Sequence, residues 1–227
     1  TMAVSPAAKV ALISTDGGKV VVWDIESAKE LPALALAPAY GNSMSFAPGG
    51  DAVVLQRSGE LLVFEGDWAK PRVVRNSLLL ASSAQFMPDG KSVVIGRYFD
   101  APSFVDVATG QSLLEVPGVR SSVFAMEGSP DNSLVAVGVA DGGIILLDAA
   151  TGLTVRTLDK LAVFPNPLRF LPDGRRIAVA TRDRLGVCVL DIQTGELVRQ
   201  YPKQEKEVRV RDLVCSPDGR FIYVAID

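Results

Sequence analysis

The chain has 227 residues, 48% of them hydrophobic and 22% charged, with a formal net charge of -3, two cysteines and no histidine. Without histidine there is no Ser-His-Asp or Cys-His nucleophile and no histidine-ligated metal, and two cysteines are too few for a cysteine zinc site or an iron–sulfur cluster. The acidic balance disfavours nucleic acid as a partner, and no apolar run reaches the roughly 18 residues of a membrane span.

Taken in chain order, the expected elements are short strands. The first four are Met2–Ser5, Val10–Ile13, Val20–Trp23 and Leu31–Leu36. A proline after an apolar segment then recurs as Pro6, Pro48, Pro88, Pro130, Pro172 and Pro217, at steps of 42, 40, 42, 42 and 45. Around it stand sequences such as Met87-Pro88-Asp89-Gly90-Lys91 and Leu171-Pro172-Asp173-Gly174-Arg175. This is turn chemistry: proline presets φ, while Asp, Asn and Gly tolerate left-handed backbone. A second mark keeps the same beat, an acidic residue closing a β-rich run at Asp24, Glu65, Asp106, Asp148 and Asp191. Three of these precede Thr-Gly, where the carboxylate can accept backbone N–H groups and Gly supplies positive φ.

Between the marks the fourth repeat offers strands at Ser122–Met126, Leu134–Val139, Gly143–Leu147 and Thr154–Leu158. The fifth offers Leu168–Phe170, Ile177–Ala180, Val187–Leu190 and Leu197–Gln200, and the sixth only Val208–Cys215 and Phe221–Ile226. Many are near-continuously apolar, as strands covered on both faces should be. Four strands per roughly 42 residues match one blade of a β-propeller. Cys188 and Cys215 lie in apolar runs and read as buried thiols.

The proline turns, the run Gly18-Lys19-Val20-Val21-Val22-Trp23-Asp24 and the run from Asp141 to Gly152 carry a resemblance. The chain resembles the WD-repeat family and its bacterial YVTN-type and quinoprotein-like relatives. Only Trp23-Asp24 is a true Trp-Asp pair; the same place reads Phe64-Glu65, Val105-Asp106, Leu147-Asp148 and Leu190-Asp191. The family's Gly-His pair is missing, so these are degenerate blades. The resemblance implies an all-β fold: a β-propeller of four-stranded antiparallel blades, with about five and a half blades present. The chain is expected to form a single, incomplete propeller domain, 1–227, with blades near 1–36, 37–77, 78–116, 117–158, 159–202 and a half blade at 203–227. Closed rings of this kind usually have seven blades, so the expectation is a fragment of a seven-bladed ring; a compact six-bladed ring with an incomplete sixth blade is the alternative.

Candidate functional residues lie in the loops between the second and third strands, on the face where such propellers usually bind. Arg57 and Arg97 stand nine residues after their marker prolines and Arg182 ten after its own. Near them are Tyr98, Phe99, Arg184 and Phe164. Arginine beside aromatics is the composition of interaction hot spots, here expected to contact an acidic or extended peptide. Trp68, in a loop between third and fourth strands, is expected to fold back over its blade. Gly90-Lys91-Ser92 resembles the end of a phosphate loop, but Gln85 stands where its first glycine belongs. The inner strands read as small or apolar, with charge only in Val208–Asp212.

The expected function is a non-catalytic protein–protein interaction scaffold, free-standing or a module of a larger protein, with no cofactor and no metal. Its partner is a protein or peptide, or another chain or segment that completes the ring. Two alternatives stand beside it: an enzyme or cofactor-binding propeller with a site in the central channel, and a sensor domain of a signalling protein.

Overall fold

The computed structural model describes residues 2–5, 10–14, 20–32, 43–57, 59–65, 70–75, 81–119, 121–158, 165–180, 186–201 and 210–226. These form two compact units, residues 1–116 and 117–227.

In the first unit, β1 (Met2–Ser5), β2 (Val10–Ser14), β3 (Val20–Asp24) and β4 (Lys29–Leu31) make one sheet. A second comprises β5 (Ser43–Phe46), β6 (Ala52–Arg57), β7 (Glu60–Glu65) and β8 (Arg72–Arg75). The third comprises β9 (Ala81–Phe86), β10 (Ser92–Arg97), β11 (Ser103–Asp106) and β12 (Ser112–Glu115). In the second unit, the fourth sheet holds β13 (Val123–Gly128), β14 (Leu134–Val139), β15 (Ile144–Asp148) and β16 (Thr154–Leu158). The fifth holds β17 (Leu168–Phe170), β18 (Arg176–Ala180), β19 (Val187–Asp191) and β20 (Leu197–Tyr201). The last, of β21 (Val210–Cys215) and β22 (Ile222–Ile226), has two strands among the described residues. Each is an antiparallel meander in chain order, so each repeat read from the sequence is one sheet. The first repeat's outer strand is displaced: expected at Leu31–Leu36, it lies at Lys29–Leu31, and residues 33–42 are outside the described set.

The sheets bury apolar residues on both faces because a neighbour covers each inner face. Val54, Leu61 and Val63 of the second sheet pack with Ala84, Phe86, Val93, Ile95 and Val105 of the third. On the other side, Val53, Leu55, Leu62 and Phe64 pack with Val10, Leu12, Val20 and Val22 of the first. The second unit repeats this: Ile144 and Leu146 pack with Phe170, Ile177, Cys188 and Leu190, and Ala178, Val187 and Val189 pack with Leu213. At about 25 cal/mol per Å² of apolar surface removed from water, these seams are the main favourable term for each unit.

The proline turns do what their residues dictate. The fourth residue of each turn donates its N–H back to close it in all five described cases: Gly50 to Ala47, Gly90 to Met87, Asn132 to Ser129, Gly174 to Leu171 and Gly219 to Ser216, at 2.8–3.0 Å. That residue has φ between 58° and 73° throughout, which is why it is Gly or Asn. At the other mark the acid caps its turn: Asp106 Oδ1 accepts from Thr109 N and Oγ1, and Asp148 Oδ1 accepts from Thr151 N and Oγ1, at 2.7–2.8 Å. Asp191 Oδ1 accepts from Gln193 N and Thr194 N. These bonds favour the ionised form and hold Asp106, Asp148 and Asp191 below the ordinary carboxylate value.

The outer strands carry a repeated irregularity. In β12, β16 and β20 the register slips by one residue, leaving Leu113, Val155 and Val198 as exposed extra residues. A bulge on an edge strand twists it out of register with any flat partner, so these free edges are blunted against pairing with another chain.

Gly110 shows how tightly neighbouring sheets approach. It has φ 71°, and an added Cβ would lie 2.1 Å from the Val74 carbonyl oxygen. Gly110→Ala is therefore expected to lose more than about 2 kcal/mol in urea unfolding. Gly118→Ala, with φ 81° and open space around the added carbon, is expected to lose only about 1 kcal/mol; equal losses would show that the close approach is not the cause.

Candidate partner-binding site

The connection from β10 to β11 is the place where sequence and structure meet. It spans five residues, 98–102, whereas β6 and β7 are joined through two, 58–59. The loop is braced from its base. Arg97, the last residue of β10, pairs through Nη1 with Asp100 Oδ2 at 3.0 Å, and through Nη2 donates to Ser103 Oγ at 3.0 Å. Asp100 Oδ1 in turn accepts from the Ala101 N–H at 2.9 Å. That backbone bond first, and Arg97 second, hold the Asp100 carboxyl below its ordinary value.

On this brace stand two exposed aromatics. Phe99 is 80% exposed and Tyr98 also faces solvent. Phe99 has φ 64°, left-handed backbone that costs a bulky side chain about 1–2 kcal/mol. The left-handed backbone at Phe99 is thus held within a loop that Arg97 and Asp100 fasten.

The other expected site residues fare differently. Arg57 ends β6, faces Glu60 in the ladder and is only 6% exposed. Alternation along β6 sends Val53, Leu55 and Arg57 toward the first sheet and Val54 and Gln56 toward the third. Arg97 shares the parity of Val93 and Ile95 and faces the second sheet. The two arginines therefore belong to different seams and make no shared pair. Phe164, Arg182, Arg184 and Trp68 lie outside the described residues.

The reading of the inner strands needs correction. Glu127 on β13 and Arg169 on β17 are charged as well, and with Asp212 on β21 they bridge three successive first strands. Arg169 Nη2 lies 2.8 Å from Asp212 Oδ1, and Nη1 lies 3.6 Å from Glu127 Oε2. The only sequence signal was that Glu127 and Arg169 each stand three residues before a marker proline, an alignment visible only once the sheets are known to be neighbours. Glu127 keeps 29% of its side chain exposed. Burial pushes its carboxyl up to about 7, Arg169 opposing and Asp212 adding to the rise. Cys188 is buried, whereas Cys215 is half-buried, its thiol raised by burial. Among the described residues no group of three or more His, Cys, Asp or Glu is placed to hold a metal ion, and no helix is long and apolar enough to cross a membrane.

Glu127 makes a pH-dependent contribution whose sign follows from the direction of its shift. A folded value above the unfolded 4.5 means the contribution is fully present below pH 4.5 and is lost as pH rises through about 7. Glu127→Gln is expected to flatten the melting-temperature profile across that window; an unchanged profile would place the Glu127 titration elsewhere.

No family model matches the chain. The guanine nucleotide-binding protein subunit beta of Oryza sativa subsp. japonica is 25% identical over 92% of the chain and 61% of its own length. WD repeat-containing protein SL1-17 of Schistosoma mansoni is 29% identical over 50% of the chain and 37% of its own length. Eukaryotic translation initiation factor 3 subunit I of Neosartorya fischeri is 32% identical over 39% and 27% respectively. Among solved structures, the Cps50 (Swd1) β-propeller domain of Myceliophteria thermophila superposes with TM-score 0.82 at 15% identity, covering 99% of this chain and 78% of that one. The chain thus spans 61% of the first of these relatives. All of these proteins are eukaryotic, and the expected bacterial kinship has no support among them.

Proposed function

We propose that this chain, a WD-repeat-like β-propeller with five four-stranded blades, is a non-catalytic scaffold that captures a protein or peptide partner through the face bearing the β10–β11 loop. The observation that carries the reading is Phe99: exposed, left-handed, and held out by the Arg97–Asp100–Ser103 brace. Tyr98 widens the aromatic surface, and the Arg97–Asp100 ion pair holds its base. Relatives whose names mark them as a subunit beta and a subunit I are assembly components, which agrees with a scaffold.

We also read the chain as about five and a half blades of a seven-bladed ring, completed by another chain or a further segment. The support is exposure. Second strands β6, β10, β14 and β18 are buried almost throughout, but in β22 Tyr223, Val224 and Ile226 are exposed, as is Val214 beside them on β21. An apolar second strand with an uncovered face is what an unfinished blade would present.

The test uses a phage-displayed library of random twelve-residue peptides panned on the whole chain, the best peptide then being titrated by fluorescence anisotropy. Phe99→Ala is expected to weaken binding at least tenfold, about 1.4 kcal/mol, with no fall in melting temperature. Phe99→Gly is expected to raise the melting temperature, because it releases left-handed strain, and to lose binding equally. Peptides that bind Phe99→Ala as tightly as the parent chain would overturn the reading.

A further inference from the structure

Charge at the loop-bearing end of the second and third sheets is sorted by depth. The two sheets are fastened to each other at that end. Gln56 Nε2 of β6 donates to the Ala81 carbonyl of β9 at 3.3 Å, and Ala81 pairs with Arg97 in the ladder. Three arginines stand there and all are drawn in. Arg57 is buried. The Arg97 side chain is 15% exposed, with Nη1 taken by Asp100 and Nη2 by the hydroxyl of buried Ser103. Arg75, opposite Leu61 at the end of β8, has its Nη1 buried without a hydrogen-bond partner.

The acids at the same end are left outside. Glu60 opens β7 and is exposed. Glu115 closes β12 opposite Ser103 and is exposed. The residue after it, Val116, donates its N–H to the Pro102 carbonyl at 2.9 Å, so Glu115 stands at the end of the loop. The Asp100 side chain is 60% exposed. Arg97 occupies one position on its Oδ2 and the Ala101 N–H one on its Oδ1. A carboxylate has about four acceptor positions, so both oxygens keep capacity toward solvent. Next to Asp100 in the chain are the exposed rings of Tyr98 and Phe99. The wider charge has the same sign. Residues 1–116 carry 9 basic and 12 acidic side chains and residues 117–227 carry 14 of each, so the net charge of -3 belongs to the unit that bears the loop.

We propose that this end of the first unit docks a basic peptide segment, whose Lys or Arg side chains pack on Phe99 and Tyr98 and pair with Asp100, Glu115 and Glu60. An aromatic face attracts a cation, and a neighbouring carboxylate adds to that attraction. An acidic segment would meet three exposed carboxylates, with the arginines drawn in behind them. Packed sheets stand about 10 Å apart, the span of about three extended residues, so basic residues about three apart reach from Glu60 to the third sheet. The inference rests on the proposed partner-binding face and names the chemistry of its occupant.

The peptide selected by panning on the whole chain tests it. Resynthesised with norleucine for every Lys and Arg, it keeps its aliphatic stems and loses its charge, and anisotropy is expected to show binding weaker by at least about tenfold. The double variant Glu60→Gln, Glu115→Gln leaves the Arg97–Asp100 brace in place. It is expected to weaken the parent peptide at least about fivefold at unchanged melting temperature, and to reduce the salt dependence of binding. Reversal by Glu60→Lys with Glu115→Lys is expected to reverse the preference: a peptide with Glu for each Lys and Arg then binds the variant more tightly than it binds the parent chain, a gain that damage to the fold cannot give. A selected peptide without Lys or Arg overturns the basic partner and leaves the aromatic face standing. So does binding within about twofold for both the norleucine peptide and the Gln variant while Phe99→Ala fails. Should Phe99→Ala bind as the parent does, or should no peptide be recovered, both readings fall.

Discussion

An apolar strand covered on only one face is unstable in water, and that constraint organises this protein. The second and third strands of each repeat are Val-, Ile- and Leu-rich on both faces, so a sheet here cannot be satisfied by one neighbour. Val53 and Val54, adjacent in β6, are fully buried against different sheets. Every other feature follows from stacking sheets at this spacing. The proline turns return the chain within three residues, the acid-capped turns do so at the other end, and the outer strands, with nowhere further to pair, carry bulges.

The proposed partner-binding surface depends on departures from that regularity. The β6–β7, β14–β15 and β18–β19 connections each hold a left-handed glycine, at Gly59, Gly142 and Gly186, whereas the β10–β11 connection holds Phe99 in that conformation. The third sheet ties that connection with an arginine that ion-pairs within the loop and bonds a buried serine. The strain at Phe99 is sustained because the loop is fixed on both sides of it. In a repeat protein the other copies supply the internal reference for such departures.

Much of the architecture was legible in advance, because turn chemistry is local. Pro88-Asp89-Gly90 closes its turn as the residue types require, and Thr109 and Thr151 bond their aspartates as the Asp–Thr-Gly spacing implied. The first outer strand was misplaced because Leu31–Leu36 is apolar enough to read as a strand anywhere along its length, while pairing with β3 selects Lys29–Leu31. Of the residues expected to meet a partner, composition near a turn singles out Arg97, Tyr98 and Phe99. Arg57 was grouped with them by spacing, yet strand parity turns it into a different seam. The contacts of Glu127, Arg169 and Gln56 are not readable from the sequence, since each looks ordinary in its own strand and meets its partner only on the neighbouring sheet.

The repeat, the strand-turn grammar, the four-stranded unit and the likeness to WD-repeat propellers follow from the residues read in order. These depend on contacts within about 42 residues, which local residue types control. Which side chains meet across a seam, which polar atoms are left unpaired, and that Phe99 is both exposed and left-handed emerge only in the folded chain. Those outcomes depend on side-chain parity, register shifts and the approach of a neighbouring backbone, none of which a single strand encodes.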